Sequence, residues 1–102
     1  LIVCSIADGL NLVVKEGAIL NSRNGVIISS NYVGAMAELG NYCVLATGSD
    51  HVSITKALLA ATDLDAQTRQ RMTLGLKQHV SEFDASNWAR SVISTFQVLE
   101  KV

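Results

Sequence analysis

The chain reads as an α/β unit: a partial parallel sheet followed by three C-terminal helices. Three observations predict this. Over the first half, short apolar runs alternate with stretches of helical pattern, the order expected of parallel pairing with right-handed crossovers. The second of these runs, Val26-Ile27-Ile28-Ser29, is continuous and β-branched, as in a strand covered on both faces. The second half holds no further strand, but it carries three stretches, each with an aspartate at its start and apolar residues at helical spacing.

The elements follow in order. Leu1 to Ser5 is the first strand. A helix is expected from about Leu10 to Asn21, ended by the polar turn Ser22-Arg23-Asn24-Gly25. Strand two is Val26 to Ser29. A short helix, about Val33 to Leu39, is stopped by Gly40 and Asn41. Strand three is Tyr42 to Leu45. Asp50 can cap the next helix, where Ile54, Ala57, Leu58 and Ala61 fall on one face. Asp65 can cap the second, striped by Met72, Leu76, Val80 and Phe83. Gly75 costs that helix about 1 kcal/mol against alanine, a cost consistent with close packing. Asp84 can cap the third, where Trp88, Val92, Phe96 and Leu99 run down one side and Trp88 is expected as a core anchor.

A length of 102 residues allows one domain or part of one. Only three strands are visible, and a sheet that small leaves an apolar edge exposed. Leu1 already lies within a strand. The chain is therefore expected to be the C-terminal piece of a longer protein. A net charge of −1 gives no electrostatic case for nucleic acid or an anionic membrane surface. No apolar run reaches membrane-spanning length, and the start lacks the pattern of a signal peptide. Cys4 and Cys43 both fall in expected strands and read as small buried apolar residues, which fits a cytoplasmic setting.

Candidate chemistry concentrates in Asp8-Gly9-Leu10-Asn11-Leu12-Val13-Val14-Lys15-Glu16. An acid and a glycine stand at the carboxyl end of a strand, where a helix begins. In open α/β sheets, ligands bind in that crevice. The first amides of such a helix lack partners within it, and with the helix dipole they favour an anion such as a diphosphate. Glu16 lies further along the same helix. Carboxylates at both ends of a set of free amides suit a sugar nucleotide, with acceptors for hydroxyls and donors for phosphate. Spacing alone also allows a plainer reading, in which Asp8 caps the helix, Gly9 supplies a turn and Glu16 is a surface acid pairing with Lys15 or Arg23.

The same segment resembles the donor-binding signature Asp-Gly-Met-Asn-Leu-Val-x-Lys-Glu of the retaining glycosyltransferases that include trehalose-6-phosphate synthase. The likeness continues at Gly25-Val26-Ile27-Ile28 and at Ser30-Asn31-Tyr32-Val33-Gly34-Ala35-Met36-Ala37-Glu38-Leu39, and more loosely at Asn87-Trp88. It implies the C-terminal half of a Rossmann-like donor domain in a two-domain type B glycosyltransferase. Residues 1–102 would then be the C-terminal portion of a nucleotide-sugar-binding domain. The last helix, about 84–101, would pack against an N-terminal domain outside this chain.

The activity implied is transfer of glucose from a nucleotide donor, UDP-glucose or GDP-glucose, to glucose 6-phosphate with retention, giving trehalose 6-phosphate. The resemblance implies that Asp8, with Gly9, Leu10 and Asn11, binds the donor sugar, Asp8 through its carboxylate and Leu10 and Asn11 through their amides. It places the amides of Leu12 and Val13 on the diphosphate and Glu16 on the two ribose hydroxyls. A carboxylate has two oxygens and suits a vicinal diol. No metal or further cofactor is expected, and no catalytic residue is assigned within this chain, whose fragment alone should be inactive. Gly34 and Glu38 are read as structural, lining the nucleotide end of the cleft. Lys15 is read as solvated.

Other readings stay open. Glucosylglycerol-phosphate synthase and the pseudo-glycosyltransferase that joins cyclitols share the motif, and a silent regulatory copy of the fold would also carry it. Ala7, Gly17-Ala18-Ile19 and Ala46-Thr47-Gly48-Ser49 depart from the common pattern, which leaves donor and acceptor open. Self-association is left open too. His51 and His79 lack metal-ligand spacing. Ser29 and Ser30 lack the Gly-x-Ser-x-Gly elbow of a hydrolase, and no Gly-x-Gly-x-x-Gly turn marks a dinucleotide site.

Overall fold

A computed structural model describes residues 1–102. Strands β1 (Ile2–Val3), β2 (Ile28–Ser30) and β3 (Val44–Ala46) pair in parallel in the order β1-β2-β3. The register sets Ile2 beside Ile28, and Ile28 beside Val44. Helix α1 (Leu12–Leu20) joins β1 to β2. The short α2 (Met36–Leu39) and a 3-10 turn (Gly40–Tyr42) lead into β3. Helices α3 (His51–Asp63), α4 (Ala66–Glu82) and α5 (Ala85–Glu100) complete the chain. None of them is long and apolar enough to cross a membrane.

Alternation along the strands sorts the core into two layers. Val3, Ile27 and Cys43 face one side and pack with Val14 and Ala18 of α1, Leu39 of α2 and Leu76 of α4. Ile28 and Ala46 face the other side, under Ala57 and Ala61 of α3. The two faces of the continuous apolar run in β2 are therefore both used, as its sequence predicted.

All three aspartate caps form. Asp50, Asp65 and Asp84 accept from the amides of Ser53, Thr68 and Asn87, at 2.9, 2.7 and 2.8 Å. Arg69 adds a bond pattern that periodicity does not reveal. Its guanidinium reaches back to the carbonyls of Leu64 and Thr62, at 3.0 and 3.1 Å, and closes the end of α3. Gly75 lets the Tyr42 ring lie against α4, since a Cβ there would fall 2.3 Å from the ring.

Several boundaries differ from expectation. Strand one is Ile2–Val3 rather than Leu1 to Ser5. Helix α1 begins at Leu12 rather than Leu10, because the chain first forms a turn at Asn11 with φ 68°. Strand two is shifted towards Ser30, where the chain still pairs with Ala46. The short helix opens at Met36, and Gly40 and Asn41 do not stop the turn. They carry it on as 3-10. Strand three accordingly starts two residues later than expected, at Val44. Trp88 finds no core within this chain, as expected if α5 packs on a domain outside it. It is 68% exposed, and α5 buries no residue, because nothing in this chain lies over its apolar stripe.

Candidate functional site

The loop after β1 is built by three sets of bonds. The first is an Asx turn: Asp8 Oδ1 accepts from the Leu10 amide at 3.2 Å. The second runs through Asn11, whose side chain works in both directions. Its Nδ2 donates to Asp8 Oδ2 at 2.8 Å, and its Oδ1 accepts from the Val14 amide at 3.2 Å. Asn11, not Asp8, is thus the helix cap. Its positive φ is one that asparagine tolerates better than most residues. The third set ties the loop to the chain after β2. Asp8 pairs with Val33 in a parallel bridge, the Gly34 amide donates to the Asp8 carbonyl at 2.8 Å, and the Ala35 amide to the Leu10 carbonyl at 2.9 Å.

Gly34 makes that last set possible. A Cβ at this position would lie 1.9 Å from the Gly9 carbonyl oxygen, a distance no packing adjustment absorbs. The close approach anticipated for Gly34 from its place after a strand is therefore an approach to the Asp8–Asn11 loop itself. A Cβ added at Gly9 itself would meet nothing within 4 Å.

The amides of Asn11, Leu12 and Val13 donate to no group of the chain, while that of Leu10 is turned to Asp8. Leu12 and Val13 are the first two residues of α1, so their N–H groups sit at the positive end of its dipole. Asp8, Leu10 and Asn11 come together through hydrogen bonds. Glu16 stands apart, exposed on α1 beside Ile19, Leu20 and Val80, and pairs with neither Lys15 nor Arg23. It is free to accept bonds from outside the chain.

Lys15 and Glu38 carry a relationship that sequence reading missed. Lys15 is paired, not free in solvent. Its Nζ lies 2.5 Å from Glu38 Oε1, and His79 Nε2 lies 3.1 Å from Glu38 Oε2. The His79 ring stacks on Phe83, with centroids 4.6 Å apart. The Lys15 hydrogen bond is the leading reason that the Glu38 carboxyl sits below its usual range, against a smaller opposing effect of burial. Lys15 and Glu38 line a cleft of about 600 Å³ together with Leu10, Phe83, Asn87 and Trp88. The partners come from α1, α2 and α4, so no local spacing could have signalled them. No three His, Cys, Asp or Glu side chains converge as metal ligands would.

Comparison with known proteins bears on the family and the fold. Residues 1–98 match the family described as Glycosyltransferase family 20. A trehalose-6-phosphate synthase of Mycobacterium leprae is 32% identical over 94 residues, which are 91% of this chain and 19% of that protein. An Arabidopsis thaliana protein named alpha,alpha-trehalose-phosphate synthase [UDP-forming] 1 is 29% identical over 91% of this chain and 10% of its own length. A crystal structure of alpha,alpha-trehalose 6-phosphate synthase from Burkholderia multivorans superposes with a TM-score of 0.83. It covers 98% of this chain and 22% of that one at 24% identity, so that likeness speaks for the fold. The chain spans about a fifth or less of the length of these relatives. The α/β architecture with a three-stranded parallel sheet is that of the corresponding part of these type B enzymes. The chain belongs to glycosyltransferase family 20.

Proposed function

We propose that this chain supplies part of the nucleotide-sugar site of a retaining glucosyltransferase that forms trehalose 6-phosphate. The observation that carries this reading is the loop from Asp8 to Val13. It follows the first parallel strand, joins Val33 through a parallel bridge at Asp8, offers unpartnered amides at Asn11, Leu12 and Val13, and opens a helix that bears an unpaired Glu16. The amides of Leu12 and Val13 would hold the diphosphate. As the glycosidic bond breaks, negative charge grows on that leaving group, and donors already in place stabilise it without reorganising. Asp8, with Gly9, Leu10 and Asn11, would hold the donor glucose, and Glu16 the ribose hydroxyls. For Leu10 to donate to the sugar, Asp8 must first release its amide.

The residues 1–102 are read as the C-terminal portion of the donor domain. The acceptor, glucose 6-phosphate, would be bound by a domain outside the chain, with α5 packing towards it. That domain would also decide between glucose 6-phosphate and the acceptors of related synthases. A turnover assay with nucleotide-glucose and glucose 6-phosphate tests the reading. The full-length protein carrying this segment should make trehalose 6-phosphate, and the 102-residue chain alone should make none. Product from the chain alone, or none from the full-length protein with either UDP-glucose or GDP-glucose, contradicts it.

A further inference from the structure

We infer that Glu38 is a positioning residue: bridging Lys15 and His79, it fixes the rotation of α1 and so aims Glu16 and the amides of Leu12 and Val13. This rests on the donor-site reading above.

Lys15 and Glu16 are consecutive on α1, so their side chains leave the axis about 100° apart. A helix pinned at one of them has its rotation set at the other. Glu38 pins Lys15 from α2, which directly follows the segment that holds the loop through the Gly34 and Ala35 amides. Loop and helix are thus referred to one support, by backbone bonds at one end and by a carboxylate at the other. His79 completes the support. It takes the second carboxylate oxygen, and its stack on Phe83 ties the bridge to the end of α4.

Both partners of the ion pair are partly shielded, with Lys15 and Glu38 side chains 22% and 32% exposed. Such a pair contributes little to global stability. Its effect should instead appear where α1 meets the ligand. A bridge that served stability alone would lower the melting point and leave ligand binding untouched.

The test uses the full-length protein with Glu38→Gln, Lys15→Met and Lys15→Arg. Two readouts are followed: amide hydrogen exchange over residues 10–16, and the KM and kcat for the nucleotide-glucose. Glu38→Gln and Lys15→Met should speed exchange in that segment and raise the donor KM about two- to fivefold, the range such an ion pair can supply. Because the bridge aims both Glu16 and the diphosphate amides, which act on the leaving group, kcat should fall as KM rises. Lys15→Arg keeps a cation within reach and should restore most of the loss. Unchanged exchange and KM in Glu38→Gln, with a lowered melting point only, overturns the inference. Glu16→Ala separates it from the donor-site reading. If Glu16→Ala raises the donor KM while Glu38→Gln alters neither readout, the donor site stands and the positioning role falls. If Glu38→Gln speeds exchange while Glu16→Ala leaves the donor KM unchanged, the bridge fixes α1 but the aim assigned to it is wrong.

Discussion

Gly34 meets Gly9 so closely that a single added carbon at position 34 would lie 1.9 Å from the Gly9 carbonyl oxygen. That approach lets the Gly34 and Ala35 amides hold the carbonyls of Asp8 and Leu10. The candidate ligand loop is therefore braced by the segment after β2, well before any ligand is considered. Gly34→Ala should destabilise the protein by at least the usual overpacking range of about 1–3 kcal/mol, because the clash is with backbone. It should also expose the Asp8–Asn11 loop to faster amide exchange. A melting curve and exchange profile matching the parent would mean that the loop is not held this way.

Much of this was legible in the sequence, and the limits are physical. The three aspartate caps lie beside the helices they cap, so spacing revealed them. The two-sided burial of β2 followed from its unbroken apolar run. The start of α1 was misplaced because Asp8 and Asn11 are both good capping types. Only the coordinates show that Asn11 takes the cap and Asp8 the turn before it. The Lys15–Glu38–His79 bridge joins residues far apart in the chain, and no periodicity encodes it. Trp88 and its stripe mark what α5 can bury, and spacing does not say on what.

Trp88 should report on that missing cover. It is 68% exposed in this chain, while its stripe with Val92, Phe96 and Leu99 suits burial. The isolated chain should show red-shifted tryptophan emission that a soluble quencher reaches freely. The full-length protein should show blue-shifted emission that resists the quencher. Equal spectra and quenching in the two would count against a domain packed on α5.

Cys43 should be unreactive in the folded chain. Burial pushes its thiol from the ordinary 9.0 up to about 11, so the thiolate nucleophile is scarce at neutral pH. Alkylation at pH 7 followed by mass spectrometry should modify Cys43 only in denaturant. The sign of the linkage follows from the raised value: the folded state favours the protonated thiol. Its contribution to stability is present below 9.0 and is lost as the pH rises through about 11. Rapid native labelling of Cys43 at neutral pH would contradict the packing around it.

Asp8→Ala should affect both structure and turnover. The carboxylate holds the Leu10 amide and the Asn11 side chain, so its loss should cost about 0.5–1.5 kcal/mol for a net hydrogen bond. If Asp8 also contacts the donor glucose, whose geometry changes as the glycosidic bond breaks, kcat should fall together with donor affinity. A lowered melting point with normal kcat and donor KM would leave Asp8 as a loop brace alone.

Glu16→Ala gives the most direct test of the donor site, because Glu16 bonds to nothing within the chain and its removal should leave the fold intact. The measurement is a donor titration of the full-length protein, reading KM and kcat for the nucleotide-glucose. Losing hydrogen bonds to a charged acceptor should raise the donor KM about tenfold to a hundredfold while kcat changes little. A donor KM equal to that of the parent would show that this surface does not hold the nucleotide.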